Sequence, residues 1–207
     1  MAAPVDSTAA LCNRFLTRIG ANEISSLDQE SKEARVCKAN FEFLRDDVNS
    51  AHAWGFALKL GTLAQSAATP EWGATYQYAI PTDLLGFITS KGEIQGLDEP
   101  YRIVGDYIVT NATSIQIEYV SRVENLNKWT PQAREALISR MQAELAPGLT
   151  GSTGGVKAYW DMYIEKLSIA GAYNGAESTP REFIVDTWLS SRAGHITSYG
   201  GIKVSDF

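Results

Sequence analysis

Leu11, Phe15 and Ile19 recur every fourth residue along an otherwise polar stretch. That spacing predicts an amphipathic helix, with Ser7 as its candidate cap and Gly20 as its stop. Ile24-Ser25-Ser26-Leu27-Asp28 bridges to a second helix whose apolar stripe is Ala34, Cys37, Phe41, Leu44 and Val48. Lys32, Glu33, Lys38, Glu42, Arg45 and Asp46 fall mostly on the opposite side. His52-Ala53-Trp54-Gly55-Phe56 ends that helix, and Phe56, Leu58 and Leu60 then alternate as a half-buried strand would.

Residues 65–82 carry few regular signals and are interrupted by Pro70 and Pro81. Thr82 or Asp83 is placed to cap a short helix through Leu84, Leu85, Phe87 and Ile88, and Lys91 to Gly96 reads as an exposed turn. Residues 101–104, 107–109 and 114–120 are β-branched and aromatic, with turns at Gly105-Asp106 and Asn111-Ala112-Thr113, which predicts a three-stranded antiparallel meander. Thr130-Pro131 opens a third helix with the stripe Ala133, Leu137, Met141 and Leu145, ended by Pro147-Gly148. A glycine-rich connector leads to a fourth helix carrying Val156, Tyr159, Trp160, Tyr163, Leu167 and Ala170.

The expected fold is therefore α+β: an antiparallel-type four-helix bundle with a small antiparallel β-sheet inserted between helices two and three. Helices occupy 7–54 and 130–174, the β insertion 55–129, and together they make one domain over 1–177. Residues 178–207 read as an extended C-terminal arm. Its apolar patch, Phe183-Ile184-Val185-Asp186-Thr187-Trp188-Leu189, has no partner of its own in sequence, and the arm ends on Phe207. Either it packs back on its own bundle or it docks on a neighbour; contiguous apolar surface favours the second.

Several of these pieces resemble, in order, the phage head–tail adaptor family of the tail tubular protein A type. The matching residues are Ala9-Ala10-Leu11-Cys12-Asn13, Ile19-Gly20, Ile24-Ser25-Ser26-Leu27-Asp28, Arg45 and Trp54-Gly55-Phe56. Pro70-Glu71-Trp72 and the run from Tyr76 to Leu85 follow, then the Tyr101 to Tyr119 hairpin and the Arg134 to Asn174 helix pair. The resemblance covers most of residues 5–175. It implies a non-enzymatic virion protein of the neck, made in the host cytoplasm and forming a dodecameric ring beneath the portal. Such a ring extends the channel for DNA ejection and gives tail or nozzle proteins a platform. Double-stranded DNA passes through it without specific binding, and nothing inserts in a membrane.

Composition is consistent with that expectation. At 207 residues, 44% hydrophobic and 20% charged, the chain can bury about 70% of its unfolded surface without a metal or disulfide. A net charge of −6 argues against a broad DNA-gripping surface but suits a wall past which DNA slides. The N-terminus lacks the basic and apolar regions of a signal peptide, and no apolar run approaches the roughly 20 residues that span a bilayer.

Candidate chemistry is sparse. Cys12 and Cys37 lie on apolar helix faces and read as buried free thiols, a disulfide being the less favoured alternative in a reducing cytoplasm. Gly148 to Lys157 lacks the Gly-Lys-Ser/Thr of a phosphate loop. Asp46-Asp47 and the Asp161/Glu165 pair read as solvated, ion-paired helix faces. Two histidines and two core cysteines give no zinc spacing, and Ser190, His195 and Asp206 lack a nucleophile elbow. No catalytic, cofactor or metal residues are assigned.

Trp72, Tyr76 and Tyr78, with Trp129, either complete the core where sheet meets bundle or anchor a subunit interface. No Lys or Arg lies between Gln65 and Thr89, which argues against nucleic-acid stacking there. The candidate interface set is Trp72, Tyr76, Tyr78, Phe183, Ile184, Trp188, Leu189 and Phe207. Two other classes compete with the adaptor expectation, an intracellular helical-bundle enzyme and a monomeric binding module.

Overall fold

The computed structural model describes residues 8–90, 93–97, 99–152 and 154–177. Ser7 and the arm lie outside them. Helix α1 (Thr8–Arg18) buries Leu11, Cys12, Phe15 and Leu16, and the chain turns away at Gly20, whose φ of +71° favours a residue without a Cβ. Asn13 then holds the connector from both directions: its Nδ2 donates to Ile24 O (2.9 Å) and its Oδ1 accepts from Ile24 N (2.8 Å). Helix α2 (Lys32–Ser50) starts at Ser31, whose hydroxyl accepts from Ala34 N. It buries Ala34, Cys37, Phe41, Leu44 and Val48.

Helix α3 (Pro131–Thr150) opens behind Thr130, whose side chain accepts from Ala133 N. It continues past Pro147, where a stop was expected. Pro147 sits in the last turn, so its missing N–H removes a single bond, and Gly151 at φ +71° closes the helix by donating to Pro147 O. Helix α4 is Val156–Ala176.

Between α2 and α3 lie two sheets and a short hairpin. Strands β1 (Leu58–Thr62), β8 (Gln116–Ser121) and β3 (Leu84–Phe87) form one antiparallel sheet in the order β1-β8-β3. Strands β2 (Tyr76–Ala79), β7 (Tyr107–Thr110) and β6 (Tyr101–Val104) form the second, in the order β2-β7-β6. The hairpin pairs β4 (Thr89–Ser90) with β5 (Glu93–Ile94).

This corrects the expected architecture of a four-helix bundle carrying one small sheet. The meander breaks after its second strand: β6 and β7 pair, but β8 leaves them for β1 and β3. Residues 84–87, expected as a helix, are β3, because the inner strand β8 offers a ladder and Gly86 is a poor helix former. The helices are also arranged differently. Helix α3 is the hub, with α1, α2 and α4 each packed against it, so it is buried on nearly every side from Ala133 to Ala146.

The layers follow from side-chain alternation. Val120 and Leu58 face the helices and join their core, together with Ala57, Trp54 and Trp129. Ile117 and Tyr119 point the other way and meet Leu63, Tyr78, Ile94, Leu97, Ile108 and Ile115 in a second core between the sheets. Leu60 shares the helix-facing side with Leu58 but is 84% exposed, since the helices cover only the Leu58 end of the strand. Gly96 is required where the hairpin crosses the first sheet: at φ +89°, a Cβ there would stand 2.5 Å from Gln116 O.

A polar clamp ties the first sheet at its rim. Lys59 on β1 bonds to Asp83, which also accepts from the Tyr119 hydroxyl on β8 (3.2 Å) and, through its carbonyl, from Arg122 N (2.6 Å). The hydrogen bond from Lys59, helped by its charge, holds the Asp83 carboxyl below the usual carboxylate range. A depressed folded pKa contributes stability above the unfolded range, and this is lost as pH falls through the folded value. Asp83→Asn is therefore expected to lower the melting temperature at neutral pH. The difference from wild type should shrink steadily on acidification; a gap that stays constant down to acid pH would assign the loss to packing instead.

Candidate functional site

The outer face of the second sheet forms a cleft of about 430 Å³. Strand alternation builds it. Tyr101, Ile103, Ile108 and Tyr78 share the inner face, which leaves Arg102, Val104, Tyr107, Val109 and Gln77 on the outer one. The segment from Pro70 to Ala74 forms the other wall, turned by Gly73 at φ +85°. Asn111 fixes that segment by accepting from both the backbone N–H and the hydroxyl of Thr75 (2.9 and 3.0 Å). Trp72 stands over the rim, 73% exposed, with the Arg102 guanidinium 5.2 Å from its ring centroid. The cleft thus offers apolar surface, aromatic surface from Trp72 and Tyr107, one cation, Arg102, and one carboxylate, Glu71.

The three aromatic candidates of this region separate. Trp72 is on the surface at the cleft. Tyr76 is half-buried against the core between the sheets. Tyr78 is 1% exposed in that core, its hydroxyl donating to Ala112 O (2.8 Å), which places it with the core alternative. Trp129 is also core, donating from Nε1 to Val123 O (3.0 Å). Phe183, Ile184, Trp188, Leu189 and Phe207 lie outside the described residues.

A second uncovered surface runs along α4, which buries only Tyr163 and Ala170 fully, against α3. On the side away from α3, Ala158, Met162, Ile169, Ala172, Tyr173 and Ala176 are exposed, broken only by Glu165. Their spacing alternates between three and four residues, so they form one continuous stripe. Both the cleft residues Arg102, Val104 and Tyr107 and this second stripe were missing from the interface set. The stripe could have been read from the sequence, because α4 is apolar on two opposite sides.

Three of the carboxylates considered for chemistry, Asp46, Asp47 and Asp161, are ion-paired, while Glu165 is exposed on α4. Asp46 pairs with Arg45 (2.8 Å) and Arg122 (2.7 Å), Asp47 with Arg140 (2.7 Å), and Asp161 with Lys157 (2.7 Å). Cys12 and Cys37 are buried and free; their mutual hydrogen bond, with burial, pushes the Cys12 thiol far above the ordinary range. Asn174 on α4 binds the turn after α2, accepting from Gly55 N (2.7 Å), donating to Ala53 O (3.0 Å) and lying 3.2 Å from His52 Nε2. Burial holds His52 below its usual pKa. Among the described residues no three His, Cys, Asp or Glu side chains cluster to hold a metal. Ser190, His195 and Asp206 lie outside the described residues.

The described residues thus present two partly apolar surfaces, the cleft beside Trp72 and the outer stripe of α4. Neither a family model nor a curated protein matches the chain.

Proposed function

We propose that the chain is a head–tail adaptor of a tailed phage, a structural virion protein that forms a ring beneath the portal. The observation that carries this reading is α4: a helix of 21 residues, apolar on two sides and covered on one. An exposed apolar stripe of that length favours coverage by another chain. A ring closes by heterologous contacts, in which one face of each subunit covers a different face of the next. Phe43 on α2, 70% exposed, and the cleft at Trp72 supply apolar surface away from α4, as that geometry needs. The ordered resemblance over residues 5–175 gives the specific role: a dodecameric ring, the portal on one side, tail or nozzle proteins on the other, and DNA passing through unbound. No helix among the described residues is long and apolar enough to cross a membrane, and the reading needs none.

The test is co-assembly with portal rings of the phage that encodes the chain, followed by size-exclusion with light scattering. Addition of about one ring of subunits to each portal supports the reading, and so does antibody label at the virion neck. Portal rings that elute unchanged in the presence of excess chain would refute it, as would label confined to the capsid shell or baseplate.

A further inference from the structure

Strand β6 is the outermost strand of the second sheet, and among the described residues no strand pairs with its other edge. The register says which groups that edge presents. Gly105-Asp106 is a two-residue turn closed by the Val104–Tyr107 pair, which makes Ile103–Ile108 a pair without mutual hydrogen bonds. The N–H and C=O of Ile103 therefore point outward, in the plane where a further strand would bond. Both faces beside them are uncovered. Ile103 on the inner face is 50% exposed, and Val104 on the outer face 53%, next to Arg102 and Trp72. An exposed edge with apolar flanks on both sides is a template for another strand.

The chain carries one segment of matching chemistry. Phe183-Ile184-Val185-Asp186-Thr187-Trp188-Leu189 is β-branched and aromatic, with apolar residues at both alternations and a single charge. A strand of that kind needs cover on both faces, which an edge with apolar sides supplies. Placing Asp186 opposite Arg102 sets the pairing. Ile184, Asp186 and Trp188 then fall on the cleft face with Val104, Arg102 and Trp72, while Val185 and Thr187 fall beside Ile103.

We propose that residues 183–189 of a neighbouring copy add as a strand to the outer edge of β6, with Asp186 against Arg102, so that the arm of each subunit closes the sheet of the next. Phe183 follows Glu177 by six positions, a reach of about 20 Å, and Leu189 by twelve, a reach of about 40 Å. The choice of a neighbour rests on the ring reading above. The peptide pairing itself rests on the edge, the cleft and the charges.

The experiment uses full-length chains with one new surface thiol each, since Cys12 and Cys37 are buried. Arg102→Cys and Asp186→Cys variants are mixed with portal rings under air oxidation and resolved without reductant. The expected result is a disulfide-linked dimer in the mixture, absent when either variant is oxidised alone. Charge reversal gives an independent readout: Arg102→Asp should reduce ring assembly at least tenfold, and adding Asp186→Arg in the same chain should restore it. A disulfide that forms only within single chains of the double-cysteine variant would overturn the neighbour as donor. Portal co-assembly without a mixed disulfide or charge rescue would overturn the strand addition and leave the adaptor reading standing. A mixed disulfide with no portal binding would keep the strand addition and overturn the adaptor reading.

Discussion

Trp54→Ala should destabilise the chain by about 3–5 kcal/mol, the range for removing a fully buried aromatic from a core. Trp54 is entirely shielded where α2 gives way to β1, and its Nε1 donates to Val48 O (2.9 Å) in the last turn of α2, which also accepts from Ala51 N (3.3 Å). Its ring is the start of an aromatic column: Phe56 stacks on it at 5.8 Å and Trp129 stacks on Phe56 at 5.2 Å. The column joins the exit of α2 to the entry of α3, so truncating it leaves a void between elements that cannot easily collapse. Urea unfolding of Trp54→Ala beside Trp72→Ala provides the check. Trp72 is mostly exposed, and its loss should lower the unfolding free energy by no more than about 0.5 kcal/mol. Equal effects at the two positions would refute this account of the core.

Arg140→Ala should cost about 2–4 kcal/mol, and it should loosen α4 selectively. Arg140 projects from α3, the hub, and reaches two neighbours. Its Nε donates to Asp47 on α2 (2.7 Å), its Nη1 to Glu144 on α3 (2.8 Å), and its guanidinium lies 4.6 Å from the Trp160 ring and 5.7 Å from Tyr163, both on α4. Asp47 and Glu144 are partly exposed and can return to water, which keeps the cost below that of orphaning a buried charge. What remains is the loss of charge-assisted hydrogen bonds, the cation–π contact and the packed stem. Arg140→Lys keeps the charge but not the planar fork, and should recover less than half of the loss. Amide exchange should quicken throughout α4 in Arg140→Ala while α1 changes little. Uniform acceleration across the chain would mean that Arg140 is only a general core residue. An Asp47/Arg140 double-mutant cycle would measure the coupling between α2 and α3 directly.

The candidate site was legible in part. Trp72 stood out as an aromatic in a region without basic residues, and it does sit on the surface. Tyr76 and Tyr78 stood out for the same reason, and residue type could not separate them from Trp72. In a strand, alternate positions go to opposite faces, and which face is covered depends on a second sheet that leaves no trace in the local pattern. Arg102 was missed because it lies in another segment, brought to Trp72 by the pairing of β6 with β7.

The helices show what the sequence by itself determined. Apolar spacing on α2, the Thr130-Pro131 start of α3 and the stop at Gly20 are local matters of periodicity, capping and φ, and each appears where those rules put it. The two sheets show what only the tertiary structure decided. Leu84-Leu85-Gly86-Phe87 is too short to choose between helix and strand, and it becomes β3 because β8 lies beside it. In the same way, β8 exchanges its sequence neighbour β7 for β1, since its Val120 side can be buried on the helices and its Tyr119 side on the second sheet. Helix periodicity is written within one turn of the chain; strand partnership depends on residues tens of positions away, and the burial available on both faces settles it.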